Sequence, residues 1–473
     1  MSSIEKVARL FSVISSLTLL AASSIAQTDP AFDARLERHF RNANVPGMVV
    51  AVYREGNLIF SREFGVANEE SKSAIRKEMG YEIGSLSKLF TSVAVLKLVS
   101  EGKLSLADKL SKHFTDLPAA WGEATVEQVL HHISGIPDYE EPATYDFYNK
   151  PRTFKEVIDV VAAKGVDFAP GEKFNYSNTG YFVMSALVER MAGVPVGRFL
   201  QDRIFRPLGM ANTYASDPVR GLSVAQGYHS RTGSRGAQPP IAWTSTLGAG
   251  GIVSTVADMA KWDMAQYGES LAPRPLVDKL WEPAKLNNGQ TSNYGLGWVV
   301  GQFRGIRRLG HTGQTNGFTC SYERFPDSKT AIFVWCNTYG GRVGAMAQVL
   351  ASRFVPGASY AQIPIPDDPD RARTDSHLAA LKTAIAGQGD ASKLHDGIKA
   401  LATSKDYEGI RNQVRPWLDS TKGFRFVRLV MRKSAAGQDI QELLYRHDYE
   451  GGTVYWLVRV LDGTIVGLSW DDE

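Results

Sequence analysis

The sequence has few of the features that mark a metalloprotein, a disulfide-rich protein or a nucleic-acid-binding protein. Its 473 residues include only two cysteines, and its formal net charge is +3 at pH 7. No cluster of His, Cys, Asp or Glu has the spacing of a metal site, and no glycine-rich phosphate loop follows a predicted strand. The small net charge gives no reason to expect nucleic acid as a partner. We therefore expect no metal, no other cofactor and no nucleic acid.

Long apolar runs are also missing after the first residues. There, Lys6 precedes an apolar stretch, residues 10–22, and small residues follow up to Ala26. This is the pattern of a cleavable signal peptide, residues 1–26. The alternative, a membrane anchor, is disfavoured because the stretch is shorter than the ~20 residues of a spanning helix. We expect a periplasmic or secreted protein without a stable membrane span after cleavage.

The two cysteines lie on neighbouring predicted strands. Cys320 is on the apolar run 317–325 and Cys336 is on the run 330–337, and the turn between them predicts a hairpin. With an odd-length loop the two sulfurs would face each other. Export permits a disulfide, but bridges between adjacent strands are uncommon, so a disulfide and two buried thiols both stay open.

The order of predicted elements divides the chain into two domains. Strand patterns occur near both ends of residues 27–355, and helices fill the middle. This order predicts an α/β (α+β) fold, in which an antiparallel sheet closed by both ends is flanked by helices and carries a helical subdomain. The proline-rich residues 356–374 indicate a linker. Residues 375–473 predict a small α+β module of unknown role, for which contact with the cell wall is one possibility.

A first candidate site is the Ser-x-x-Lys sequence formed by Ser85 and Lys88. The same pattern occurs twice more, but only here does a glycine precede a serine that opens a predicted helix, residues 86–99. Residues three apart on a helix project from the same side, so Lys88 reaches the Ser85 hydroxyl. A lysine activates a serine only if its own pKa is lowered. The alternative is a helix-capping serine beside a solvated lysine.

A second candidate is the triplet Tyr176-Ser177-Asn178. The phenol could relay a proton to a leaving group, and the amide could hold a substrate carbonyl or amide. These are also ordinary loop residues.

The third candidate is His311-Thr312-Gly313, followed by Gln314. A glycine on a strand lets another backbone approach closely. The N–H groups of Gln314 and Ser85 could then form the oxyanion trap of an acyl transfer. The alternative is a plain strand followed by a turn.

Together these segments resemble the three active-site motifs of the serine β-lactamase and penicillin-binding-protein superfamily. The branch resembled contains class C β-lactamases, serine D-alanyl-D-alanine carboxypeptidases, D-aminopeptidases and family VIII esterases. The resemblance covers residues 30–355, and flanking segments such as Gly248-Ala249-Gly250-Gly251 and Tyr294-Gly295-Leu296-Gly297-Trp298 extend it. It implies a hydrolase that works through an acyl-enzyme.

The resemblance also implies a role for each motif residue. Ser85 would be the nucleophile, and Lys88 and Tyr176 would transfer its proton. Asn178 would contact the acyl side-chain amide, Thr312 would contact a substrate carboxylate, and His311 and Gly313 would help to bind the substrate. The backbone N–H groups of Ser85 and Gln314 would form the oxyanion hole.

One departure bears on the substrate class. Class C β-lactamases carry Lys at the position of His311, and a histidine is mostly neutral at pH 7. We therefore expect a serine hydrolase that acts on a small amide or ester, either a D-peptide or a carboxylic ester. One alternative is a β-lactam-hydrolysing enzyme, and another is a non-catalytic penicillin-binding or cell-wall-binding sensor. His131 and His132 are expected to cap or pack rather than to act in catalysis.

Overall fold

The chain folds as two units in the computed structural model, Met1–Val355 and Pro356–Glu473. The boundary falls where the proline-rich segment begins. The predicted signal peptide, residues 1–26, lies outside the described residues. The structure describes residues 29–140, 147–215, 218–230, 235–386, 389–434 and 437–471.

The strands of the first unit form a six-stranded antiparallel sheet and two short pairs. These strands are β1 Gly47–Arg54, β2 Asn57–Gly65, β3 Tyr81–Glu82, β4 Gly227–Ser230, β5 Arg235–Gln238, β6 Val253–Ser254, β7 Val299–Phe303, β8 Ile306–Gln314, β9 Thr319–Phe325 and β10 Thr330–Cys336. The large sheet has the order β2-β1-β10-β9-β8-β7. Because β1 and β10 are buried on both faces, they take central positions and pair with each other. The predicted antiparallel sheet closed by both ends of the unit is confirmed.

One helix of the first unit, α2, is almost completely buried. The described helices of this unit are α1 Pro30–Ala43, α2 Ser87–Ser100, α3 Val126–Leu130, α4 Phe154–Asp159, α5 Asn178–Ala192, α6 Val196–Leu200, α7 Val256–Ala265, α8 Arg274–Lys279 and α9 Val343–Phe354. The sequence pattern predicts one buried face for α2, but nearly all its side chains are buried, Lys88 included. The reason is that α2 packs against α5, α6 and α8 together. A charged residue of α2 is therefore removed from water.

The predicted hairpin is confirmed, but Cys320 and Cys336 do not face each other across it. The loop between β9 and β10 has an even number of residues, so Phe325 pairs with Thr330 and Cys320 pairs with Trp335. Since side chains alternate between the faces of a strand, the two sulfurs lie on opposite faces of the sheet. Both cysteines are free, buried thiols.

In its described residues, the second unit combines three α-helices with a four-stranded antiparallel sheet whose strands follow chain order. The elements are α10 Arg371–Ala386, α11 Asp396–Thr403, α12 Glu408–Asp419, β11 Thr421–Lys433, β12 Asp439–Tyr449, β13 Gly452–Leu461 and β14 Thr464–Asp471. Helix α10 begins inside the predicted linker, residues 356–374. It begins at Arg371, two residues after Pro369. Leu381, Leu443 and Trp456 belong to the core of this unit.

Candidate active site

Ser85 lies in a 3-10 turn, Gly84–Leu86, that leads into α2. Strand β3 comes just before this turn, and its pairing with β6 ties the turn to the rest of the unit. Gly84 has a φ of +50°, which L side chains rarely adopt. A β-carbon on Gly84 would stand 2.6 Å from the backbone nitrogen of Gln314. Glycine is therefore required for the Ser85 turn to lie against the end of β8.

Lys88 has three hydrogen-bond partners. Its Nζ lies 3.1 Å from Ser85 Oγ, 2.6 Å from Asn178 Oδ1 and 2.9 Å from the Ala249 carbonyl oxygen. A neutral amine has two N–H groups and one lone pair. Because the two oxygens of Asn178 and Ala249 accept the N–H groups, the lone pair is left for the Ser85 hydroxyl. Neutral Lys88 is thus oriented as the base for Ser85.

The pKa of Lys88 suits this role. Burial lowers the pKa to about 7, although the carboxylates of Glu140 and Asp138 act in the opposite direction. The lysine side chain is fully buried. A substantial fraction of Lys88 is therefore neutral near pH 7, when an exposed lysine would be fully protonated.

Tyr176 packs against the side-chain nitrogen of Lys88. The centre of its ring is 4.7 Å from Lys88 Nζ. Burial raises the pKa of Tyr176 well above 10, and the nearby Ser85 hydroxyl only partly offsets this rise. The phenol does not meet hydrogen-bond geometry with any described residue, Ser85 included. Tyr176 is therefore protonated in the resting protein, and Lys88 is the stronger candidate for the base.

Asn178 is held from two sides at the start of α5. Its Oδ1 faces Lys88, and its Nδ2 donates to Asp138 Oδ2 at 3.1 Å. Asp138 also accepts the backbone N–H of Asn178. These contacts fix which way the amide points and leave one N–H of Nδ2 for a ligand.

The residues of the third motif alternate between exposed and buried positions. Thr312 and Gln314 are exposed on the part of β8 that extends beyond its pairing with β7. Gly313 is buried, and a β-carbon there would stand 1.9 Å from the Ile83 carbonyl oxygen. The third motif thus packs directly against the Ser85 turn.

His311 is not at the cleft surface, contrary to the role expected for it. It is buried, its Nδ1 contacts the Thr312 carbonyl, and its Nε2 lies 2.9 Å from the Tyr294 hydroxyl. With a carbonyl at Nδ1, Nδ1 carries the proton and Nε2 accepts from Tyr294. Burial, and next the charge of Lys88, lower the pKa of His311 to about 4. His311 is therefore a neutral residue behind the site.

A cleft of about 290 Å³ opens in front of Ser85. Asn178 and Gln314 line it, and aromatic side chains including Tyr139, Tyr148 and Tyr339 form part of the wall. No Lys or Arg is among the described residues that line it. The described part of the cleft wall is thus aromatic and polar and presents no Lys or Arg side chain.

Sequence reasoning missed two carboxylates at the site, those of Asp138 and Glu140. Glu140 lines the cleft, and burial, together with the nearby Asp138, raises the pKa of its carboxyl group. None of the ion pairs among described residues uses either side chain. The two residues lie in the loop that follows α3. Only the packing of that loop against α5 brings them to Asn178.

The described residues contain no group of three or more His, Cys, Asp or Glu side chains that could hold a metal ion. Within the same residues, no helix combines the length and hydrophobicity of a membrane span.

Comparisons with known proteins give matches over most of the chain. A family model described as Beta-lactamase matches residues 32–352. Penicillin-binding protein 4* of Bacillus subtilis (strain 168) is 27% identical over 418 residues, which are 84% of this chain and 89% of that protein.

Two solved structures are similar as well. The octameric penicillin-binding protein homologue from Pyrococcus abyssi has a TM-score of 0.62 at 21% identity, covering 94% of this chain and 96% of that one. The D-amino acid amidase from Ochrobactrum anthropi SV3, complexed with L-phenylalanine amide, has a TM-score of 0.57 at 26% identity, covering 65% of this chain and 90% of that one.

Proposed function

Because the chain belongs to the beta-lactamase family, we propose that it is a serine hydrolase that cleaves a small amide or ester through an acyl-enzyme. One observation carries this proposal. A buried lysine with a pKa of about 7 stands 3.1 Å from the Ser85 hydroxyl, with both of its N–H groups directed elsewhere. This arrangement supplies the activated nucleophile that acyl transfer requires.

The proposed acylation step starts with neutral Lys88. It takes the Ser85 proton while Oγ forms a bond to the substrate carbonyl carbon. Backbone N–H groups of Ser85 and Gln314 would stabilise the oxyanion. The carbonyl–nitrogen or carbonyl–oxygen bond of the substrate then breaks. Tyr176 gives its proton to the leaving group and is reprotonated by Lys88.

Deacylation reverses these proton transfers with water as the nucleophile. Water bonds to the acyl carbon and passes its proton through Tyr176 to Lys88. The bond from Ser85 Oγ to the acyl carbon breaks, and Oγ recovers a proton. The products are the free acid and the original enzyme.

The charges of the cleft support a substrate with a free ammonium group next to the cleaved bond. Glu140 is a carboxylate at the cleft surface, and no described Lys or Arg lines that surface. A ligand ammonium would find a partner there, whereas a ligand carboxylate would find no cationic partner among the described lining residues. The similarity to a D-amino acid amidase agrees with this direction. We propose D-aminoacyl amides or short D-peptides with a free amino end, with neutral esters as secondary substrates.

The same charges disfavour β-lactams and peptides with a free carboxylate end. Both carry an anion, and His311, which replaces the lysine of class C β-lactamases, is neutral and buried. We expect β-lactams to react slowly with Ser85 and to be poor substrates.

The proposal is tested by a substrate panel and a covalent label. The panel contains D-phenylalanine amide, its L-isomer, p-nitrophenyl butyrate, a D-Ala-D-Ala peptide and a chromogenic β-lactam. A fluorophosphonate is used in parallel, and peptide mass spectrometry locates the adduct. We expect D-selective amide cleavage, an adduct at Ser85 and loss of both in Ser85→Ala. A label elsewhere, or turnover that survives Ser85→Ala, would remove the proposed nucleophile.

We also propose that the enzyme works outside the cytoplasm, as the pattern of residues 1–26 indicates. We expect the intact mass of protein exported by a bacterial host to equal that of a chain beginning after Ala26. A mass that retains those residues would contradict it.

A further inference from the structure

We infer that His132 is a positioning residue that holds the Tyr176 phenol against Ser85 and Lys88, an inference that rests on the proposed function. The first observation is a pair of hydrogen bonds on either side of Tyr176. The backbone N–H of Asn175 donates to the His132 carbonyl oxygen at 2.9 Å, and the backbone N–H of Ser177 donates to His132 Nδ1 at 3.0 Å. One residue thus fixes the chain immediately before and after Tyr176.

The second observation is the packing of the two rings. The imidazole centre lies 4.2 Å from the centre of the Tyr176 ring, with an angle of 37° between the planes. The ring of Tyr294 contacts the imidazole at 4.8 Å. His132 therefore supports the phenol on its face while it anchors the backbone.

The third observation is the state of the imidazole itself. His132 is 1% exposed, and its Nδ1 accepts a hydrogen bond, so the proton of the neutral ring is on Nε2. Nε2 has no hydrogen-bond partner among the described residues. Burial, and next the charge of Lys88, lower the pKa of His132 well below its usual value. The ring stays neutral, which its bond to Ser177 requires.

The backbone of His132 gives the fourth observation. Its φ is +59°, a left-handed conformation that costs a non-glycine residue free energy. This conformation places the carbonyl of His132 toward Asn175 and its side chain toward Ser177. The strained conformation is thus the one in which His132 makes both of the hydrogen bonds that flank Tyr176.

Two substitutions separate the functions of the ring. His132→Asn keeps a side-chain acceptor near the position of Nδ1, and asparagine tolerates the left-handed backbone. His132→Phe keeps an aromatic ring but has no acceptor for the Ser177 N–H. His113→Phe is the control for replacing a histidine elsewhere, since the His113 ring contacts Asp108 and does not line the cleft.

The test is a double-mutant cycle with Tyr176→Phe, measured as kcat and KM for p-nitrophenyl butyrate and as the rate of fluorophosphonate labelling at Ser85. In the wild-type background we expect His132→Phe to lower kcat about 100-fold with little change in KM, because a misplaced catalytic group costs that much. In the Tyr176→Phe background the same change should lower kcat less than about 3-fold, since its effect passes through the phenol. His132→Asn should recover most of the activity, and His113→Phe should leave it unchanged.

Two results would overturn the inference. One is an equal loss from His132→Phe in both backgrounds, which would mean general damage to the fold. The other is wild-type turnover by His132→Phe. Thermal unfolding of each variant is measured beside the kinetics. If His132→Phe does not fold, His132→Asn is compared with His132→Gln instead. Glutamine keeps a side-chain acceptor but places it one bond farther from the backbone than asparagine does. Failure of the proposed function is recognised separately, by labelling or turnover that persists in Ser85→Ala.

Discussion

Lys88 Nζ and Asn178 Oδ1 lie 2.6 Å apart, which is the shortest of the three contacts of the lysine. The amide cannot turn its nitrogen to the lysine without losing the hydrogen bond from Nδ2 to Asp138. Its oxygen therefore always accepts from Lys88. The contact directs one N–H of the lysine away from Ser85 whether the amine is charged or neutral.

Activity should rise with pH in a way that reports the deprotonation of Lys88. The base must be neutral, and its pKa is lowered to about 7 by burial. We expect log(kcat/KM) for p-nitrophenyl butyrate to rise with unit slope below about pH 7 and to level off above it. The neutral ester is chosen because it has no group that titrates in this range. A profile that keeps rising toward pH 10 would show an unperturbed lysine.

Lys88→Arg provides the matching variant. An arginine keeps the positive charge but does not lose its proton in proteins. We expect more than about 10³-fold loss of activity at every pH, with no recovery on the alkaline side. Fluorophosphonate labelling of Ser85 measures the same step without a substrate. Labelling at the wild-type rate would assign the base to another group.

Particular residues show how far the sequence predicts this structure. The contact of Lys88 with Ser85 follows from a spacing of three on a helix, and the sheet follows from runs of apolar residues. The positions of Asp138 and Ala249 do not follow, because loops carry them and only tertiary packing brings those loops to Lys88. The hairpin of β9 and β10 is as predicted, but the facing of its two cysteines is not, since one residue in a loop decides which face a side chain takes.

Gly84→Ala should damage the oxyanion site more than it damages the fold. A β-carbon there would meet the Gln314 backbone nitrogen at 2.6 Å, and φ is +50°. The turn would have to move away from β8, so we expect kcat to fall about 10²-fold or more. Gly102→Ala is the matched control, because Gly102 has a φ of +70° with nothing within 4 Å of the added carbon. Equal effects of the two variants on kcat would mean that backbone strain alone is responsible.

Glu140→Gln should separate charged from neutral substrates. The carboxylate at the cleft surface is the proposed partner of the substrate ammonium. We expect KM for D-phenylalanine amide to rise about 10-fold or more, since a hydrogen bond to a charged group contributes about 1.5–3 kcal/mol. The neutral ester p-nitrophenyl butyrate is the control within the same variant and should be unaffected. A parallel loss on both substrates would remove the ammonium from the proposal.

Tyr176→Phe should allow the acyl-enzyme to form and then to accumulate. The buried phenol is protonated, so it serves as a proton relay between Lys88 and the water or leaving group. An activated p-nitrophenyl ester has a leaving group that departs without protonation, so its acylation depends less on the phenol than deacylation does. We expect a burst of p-nitrophenol followed by turnover slowed about 10²- to 10⁴-fold. Intact mass measured during turnover should show the acyl group on the protein, and in Lys88→Arg it should not appear on that timescale. Unchanged steady-state turnover in Tyr176→Phe would exclude the phenol from the mechanism.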